Sequence, residues 1–245
     1  MSDTKIEWTD KTWNPITGCT PISEGCRNCY AKRMAQRLAG RYGYPADDPF
    51  RVTFHHDRLE LPLRWKKPSK IFVNSMGDLF HGDVLTDNVY RVLDIIRRCP
   101  QHTFQILTKR PERAKTVLFN IGRRHLETIR LPNLWLGVTV ENAKYTDRID
   151  ILRTIPAAVR FISFEPLLGD VGKLNLEGIH WVIVGGETGT GARPMNADWA
   201  RSIRDQCAAD GVPFFFKKTG TPLGNQEYLD NTWYREFPEV TEQDG

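Results

Sequence analysis

The first part of the chain is polar and without a regular pattern, and after it the sequence settles into an alternation. Short, continuous apolar runs stand at 70–74 (KIFVN), 103–107 (TFQIL), 134–140 (LWLGVTV), 161–164 (FISF), 181–184 (WVIV) and 213–216 (PFFF). Each run is continuous rather than alternating, the pattern of parallel strands covered on both faces. Between them lie segments of helical period at 87–98, 111–123, 144–153 and 198–209, with an earlier one at about 29–42. The segment at 87–98 carries Val89, Val92, Leu93 and Ile96 at i, i+3, i+4 and i+7, one apolar stripe of a helix that Thr86 begins.

Repeated β-then-α units require right-handed crossovers and give a parallel sheet. No GxGxxG follows an early strand, which removes the usual support for a dinucleotide fold. The expected fold is α/β: one (β/α) barrel domain over 1–245, partial or complete, with a cysteine loop at 14–30 and a C-terminal extension from about 221 to 245. In such a barrel the C-terminal strand ends converge on one face, where active sites are built. Those ends read Ser75-Met76-Gly77-Asp78, Thr108-Lys109-Arg110, Glu141-Asn142, Glu165-Pro166, Gly185-Gly186-Glu187 and Lys217-Lys218. Carboxylates, cations and hydroxyls stand there in place of ordinary turn residues, an enzyme-like distribution.

Composition narrows the classes. Hydrophobic residues are 40% of the 245 and charged residues 26%, as in a folded globular protein. No apolar run approaches the ~20 residues of a spanning helix, so no membrane partner is expected. The opening MSDTKIEWTD lacks an apolar leader segment, so the expected location is cytoplasmic, in a bacterium or a phage-infected host. With 34 Lys and Arg against 30 Asp and Glu, the net charge of +4 permits a nucleic-acid partner without specifying one. The basic runs RWKK (64–67), IRR (96–98) and GRRH (122–125) read first as solvated faces, with phosphate contact as the alternative.

The five cysteines sharpen the picture. Their odd number, without a secretion signal, argues against a disulfide framework. Cys99 and Cys207 stand near helix ends and read as packing residues. Cys19, Cys26 and Cys29 form C-x6-C-x2-C in a Gly/Pro-rich loop that runs straight into a helix. Three thiolates on a [4Fe–4S] cluster leave one iron open to a ligand. A zinc site is the alternative, and its fourth ligand would have to come from His55 or His56 folding back.

The cysteine loop, followed by Cys29-Tyr30 and a helix, resembles the signature of radical S-adenosylmethionine (SAM) enzymes. It departs from their usual C-x3-C-x2-C by three extra residues in the first interval. The run KIFVNSMGDLFHGDVLTDN and the later FQILTKRPER are similar to the spore photoproduct lyase branch, in which one strand ends in a Ser/Thr-x-x-Asp-aromatic turn and the next in Thr-Lys. Closer still, IEWTDKTWNPITGC, LTKRPER, SFEPLLG, VGGETG and PFFFKKTG, between Ile6 and about Gly220, resemble a phage-encoded three-cysteine family.

That resemblance implies a [4Fe–4S] cluster on Cys19, Cys26 and Cys29, with SAM on the open iron. It further implies an external electron donor of flavodoxin or ferredoxin type, and a 5′-deoxyadenosyl radical that abstracts hydrogen. Kinship with a DNA-repair branch points to a nucleobase or nucleotide substrate, in DNA modification or repair. Lys109 would pair with the SAM carboxylate, the alternative being a solvated lysine. Ser75, Asp78, Thr139 and Glu141 would face the ribose or the methionine. Gly185-Gly186-Glu187 copies the superfamily's amine-binding GGE but lies on a late strand, so its glycines read as allowing close backbone approach and Glu187 as facing substrate or SAM. Glu165, Arg193 and Lys217 complete the substrate-side candidates, with an ion pair from Glu165 to Lys217 or Arg193 as the plainer reading. Trp8 and Trp13 flank the loop and would pack beneath it. The reading from a different class is a zinc-stabilised nucleic-acid-binding or partner-binding protein without catalysis.

Overall fold

The computed structural model describes residues 4–125 and 131–239. Its elements in chain order are β1 (Lys11–Trp13), β2 (Ile16–Thr17), α1 (Tyr30–Arg37), β3 (Thr53–Phe54), α2 (His56–Leu59), β4 (Lys70–Val73), α3 (Thr86–Arg97), β5 (Thr103–Thr108), α4 (Pro111–Gly122), β6 (Leu134–Thr139), α5 (Asp147–Arg153), β7 (Val159–Phe164), β8 (Trp181–Gly185), α6 (Ala197–Asp210) and β9 (Phe214–Lys218). Among the described residues, one parallel sheet of seven strands runs β1-β4-β5-β6-β7-β8-β9, while β2 and β3 form a small antiparallel pair beside the cysteine loop.

Strand order and chain order coincide across the large sheet, and this determines its shape. Each new strand is added at the same edge through a crossover of one hand, so the crossover helices fall on one face. The other face can bury its side chains only by curling on itself, which gives a half-barrel. Side chains alternate between the two faces, and both faces are apolar, which is why the runs are continuous. Ile71, Val73, Phe104, Ile106, Leu136, Val138, Ile162, Phe164, Val182 and Val184 join the helices in an outer core. Trp135, Phe161, Trp181, Ile183 and Phe215 fill the concave side. There Gly137 is required: a Cβ at that position would lie 2.5 Å from the Phe161 ring.

The two tryptophans expected together under the cysteine loop lie on opposite faces. Trp8 plugs the concave side, edge-on to Phe72 at 4.8 Å and to Trp181 at 6.2 Å. Trp13 belongs to the outer core, 5.8 Å from Phe104, with Nε1 donating to the Arg58 carbonyl at 2.8 Å. The register explains the split: β1 pairs with β4 so that Trp13 is opposite Val73 and takes the same face. Trp13 therefore does not shield the loop.

Other departures are local. The segment expected as one helix at 144–153 begins with a short 3-10 turn, where Asn142 accepts from the Lys144 N–H, and α5 starts at Asp147. The early helix stops at Arg37, ahead of Gly40 and Tyr42 in left-handed conformation. Part of the C-terminal extension closes the N-terminal end of the concave side: Phe237 stacks on Trp181 at 5.1 Å, and Trp181 Nε1 donates to the Glu236 carbonyl at 2.8 Å. Residues 240–245 of that extension lie outside the described residues. Cys99 and Cys207 are buried in the outer core, and burial pushes the Cys207 thiol up to about 12. No helix among the described residues is long and apolar enough to cross a membrane.

Candidate active site

The cysteine loop reaches the sheet through the β2–β3 pair and is laid over the C-terminal ends of the strands. Gly18 makes this possible. Its φ is +90°, a Cβ there would lie 2.3 Å from the Arg51 carbonyl, and its N–H donates to Met76 at 2.9 Å. Asn14 fixes the entrance, its Oδ1 accepting from Ser75 Oγ at 3.2 Å and from the Met76 N–H at 3.0 Å.

Past this point Cys19, Cys26 and Cys29 line one cavity of about 170 Å³, together with Phe72, Asn74, Ser75, Asp78, Leu107, Lys109, Arg110 and Thr139. Among the described residues no three His, Cys, Asp or Glu side chains stand close enough to share one metal ion; the three sulfurs instead border the cavity. His55, one of the two candidates for a fourth zinc ligand, is buried and has Nε2 2.7 Å from the Thr17 hydroxyl. His56 packs edge-on to Phe54.

The strand-end charges are arranged in three groups, each tied to the loop. At the end of β4, Asp78 accepts from Thr108 Oγ1 at 2.8 Å, from the Lys109 N–H at 3.2 Å and from Arg110 at 3.1 Å. Arg110 then reaches the loop, 3.3 Å from Cys19 Sγ and 2.8 Å from the Thr20 carbonyl. At the end of β6, Glu141 is fully buried between Arg148 at 3.0 Å and Lys109 at 3.2 Å, and it accepts from Ser23 at 2.5 Å. Gly25 passes over it so closely that a Cβ there would lie 2.5 Å from Glu141 Oε1. Beyond β8, both oxygens of Glu187 accept from Arg193, and Asn28 donates to Oε2 at 2.9 Å; Arg193 also donates to the Glu24 carbonyl at 3.1 Å.

Ionisation follows these contacts. Burial, reinforced by Asp78, pushes the Cys19 thiol up to about 11 despite Arg110. Burial acts on Cys26 too, but the hydrogen bond at the Ile22 backbone, the Lys109 ammonium and the Ser23 hydroxyl outweigh it and hold that thiol below its ordinary value. Glu187 resists the upward effect of its burial, because the bonds from Arg193 and Asn28 hold it down at about 2.

Of the residues singled out in the sequence, Ser75, Asp78, Lys109 and Thr139 line the cysteine cavity, and Glu141 lies directly behind it. The remaining candidates divide. Glu187 and Arg193 form the clamp on Asn28 and Glu24. Glu165 and Lys217 form a separate pair at 2.6 Å, and Glu7 lies 3.8 Å from Lys217 while pairing with Lys218 at 2.6 Å. Sequence reasoning did not single out Ser23, Asn28, Arg110 or Arg148 for this role. Arg148 did leave a signal: it is a cation on the buried side of α5, beside Ile149 and Leu152.

A family model described as "Protein of unknown function (DUF5131)" matches residues 3–238, and the chain belongs to that family. No curated protein matches the sequence. Among solved structures, a spore photoproduct lyase mutant with bound AdoMet and dinucleoside spore photoproduct is similar at 10% identity and a TM-score of 0.50, over 84% of this chain. A second spore photoproduct lyase mutant is similar at 11% identity and a TM-score of 0.48 over the same share of this chain. The chain spans 62% of the length of each of these lyases. The likeness is one of fold: a curled parallel sheet forming a partial barrel.

Proposed function

We propose that the protein is a radical SAM-type enzyme whose Cys19, Cys26 and Cys29 hold a [4Fe–4S] cluster, acting on a nucleobase or nucleotide. One observation carries this reading: three thiols of a single loop border one cavity at the C-terminal ends of a half-barrel's strands, beside Lys109 and Arg110. A cluster binds each thiolate through a different iron, an arrangement suited to sulfurs spaced around a cavity, and three thiolates leave the fourth iron open. The neighbouring cations offset the thiolates' charge. The fold shared with spore photoproduct lyase adds support, since one of those structures holds AdoMet and a dinucleoside.

When bound, the cluster and SAM would supply one-electron cleavage of the cofactor and hydrogen abstraction by a 5′-deoxyadenosyl radical, the electron coming from an external flavodoxin- or ferredoxin-type donor. The chain's own residues do the rest. Ser75, Thr139 and Lys109 offer hydroxyls and an ammonium on the cavity wall for the ribose and carboxylate of SAM. Phe72 and Leu107 give the cavity an apolar lining, with Trp8 packed on Phe72. Asp78, Glu141 and Glu187 fix the loop that carries the thiols. Glu165 and Lys217, at the ends of β7 and β9 on either side of β8, are the substrate-side pair. The test is anaerobic incubation of the reconstituted protein with SAM and dithionite. Formation of 5′-deoxyadenosine supports the reading, and a cluster-loaded protein that leaves SAM intact contradicts it.

A further inference from the structure

We propose that the solvent face of α1 is a docking surface for a nucleic-acid strand, one of whose bases is presented to the cysteine cavity; this deepens the reading of that cavity as a nucleobase site and rests on it. The helix turns Ala31, Met34, Ala35 and Leu38 inward, against Tyr44, Met76 and Phe50. The opposite arc carries Tyr30, Lys32, Arg33, Gln36 and Arg37. From 25 to 46 the chain has five Lys or Arg and no Asp or Glu.

This one-sided charge sets α1 apart from the other surface helices, which interleave signs. In α3, Arg91 pairs with Asp87 and Arg97 with Asp94; in α5, Arg153 pairs with Asp150; in α6, Arg201 pairs with Asp198. On α1, Arg33 is spent on the Thr188 and Thr190 carbonyls, which ties the helix to the loop after β8. Arg27, Lys32 and Arg37 have no carboxylate partner among the described residues. Two large aromatics stand in solvent alongside: Tyr30 at 60% exposure and, past the helix end, Tyr42 at 74%.

Three features favour a strand over other anions. The cations lie outside a cavity of only about 170 Å³, so they act on a ligand that extends well beyond it. Tyr30 directly follows Cys29, and Cys29 and Ala31 both line the cavity, so the basic face begins at the cavity rim. This face has no aliphatic anchor; beside Gln36 it carries cations and tyrosine, the combination that tracks a phosphate backbone and stacks on bases.

The experiment is fluorescence anisotropy of full-length protein with a fluorescein-labelled single-stranded DNA of mixed sequence, over a series of NaCl concentrations. Lys32→Glu combined with Arg37→Glu is expected to weaken binding by about tenfold or more. It should also flatten the plot of log affinity against log salt by about 1.4, for two phosphate contacts at ~0.7 each. Tyr30→Ala is expected to lower affinity about fivefold or more with the salt slope kept, as loss of stacking does. Thermal melts matching the native protein certify that the variants are folded. Native-like DNA binding by the folded charge variant overturns the proposal. So does a variant that binds DNA normally but loses reduction by an acidic flavodoxin, which would assign the face to the electron donor. Binding is read without turnover: a protein that binds DNA through α1 yet never forms 5′-deoxyadenosine keeps this surface and refutes the reading of the cavity instead.

Discussion

Ser23 donates its hydroxyl to Glu141 at 2.5 Å, joining the middle of the cysteine loop to the buried end of β6. Glu141 simultaneously pairs with Arg148 and Lys109. The cysteine loop has no regular hydrogen-bond ladder of its own over most of its length, so its shape depends on such contacts.

Removing this anchor has two expected consequences. Glu141→Ala leaves Arg148 buried without a counter-charge and should cost about 3–5 kcal/mol, read as a shift of the urea midpoint. Ser23→Ala removes one bond to a charged group and should cost about 1.5–3 kcal/mol. In metal-free protein Glu141→Ala, which leaves the Ser23 hydroxyl beside Cys26, should raise the alkylation rate of Cys26 severalfold while leaving buried Cys207 unreactive. Equal acceleration at both thiols would mean general unfolding rather than release of the loop.

Glu187 makes stability depend on acid. Its folded-state value of about 2 lies below the ordinary carboxylate value of 4.5, so the Arg193 and Asn28 contacts contribute stability that is complete above pH 4.5. That contribution is lost as pH falls from 4.5 toward 2, by roughly 2–3 kcal/mol in total. Urea midpoints between pH 5 and 3 should therefore fall less steeply for Glu187→Gln than for the native chain. Parallel slopes would count against the assignment.

His55 acts in a higher window. Burial, with a smaller effect from Arg58, lowers it to about 4 from 6.5. The unfolded chain therefore takes up the proton first, and stability declines as pH falls from about 6.5 to 4, by on the order of 2–3 kcal/mol. His55→Gln should start from lower stability at pH 7.5, through the altered Thr17 contact, and be flatter across that window. A native curve that is flat between pH 6.5 and 4.5 would contradict this.

Gly137 tests the concave core. Gly137→Ala drives a methyl group into the Phe161 ring and should destabilise by about 1–3 kcal/mol. A companion Phe161→Leu, which opens space beside the new methyl, should recover part of the loss. If the double variant is worse than the sum of the two singles, the packing described is wrong.

Much of this architecture can be read from the sequence, for a definite reason. From β5 to β8 the strands are buried on both faces over most of their length, so their runs are continuous rather than alternating and their polar C-terminal residues mark the mouth. Lys11–Trp13 gives no such signal: three residues, two of them polar, become a strand because Asp10 accepts from the Lys70 N–H at 2.7 Å and β4 offers an edge. In the site, residue types and positions were legible, and so was the Glu165–Lys217 pair, but the pairings that anchor the cysteine loop were not. Glu141, Glu187 and Asp78 stand at strand ends, as a ligand-binding carboxylate would. That Ser23 meets Glu141 and Asn28 meets Glu187 depends on how the loop folds back across more than a hundred residues of sequence, for which no local pattern exists, while Arg110 meets Asp78 from the end of the adjacent strand, 32 residues on.

The most direct test of the central claim is the metal held by the three cysteines. Full-length protein should be reconstituted anaerobically with iron and sulfide and assayed for iron, sulfide and zinc alongside its visible absorption. The account predicts about four iron and four sulfide per chain with a charge-transfer band, all lost in Cys26→Ala. One zinc per chain with no iron uptake, or iron uptake that survives in Cys26→Ala, would contradict it.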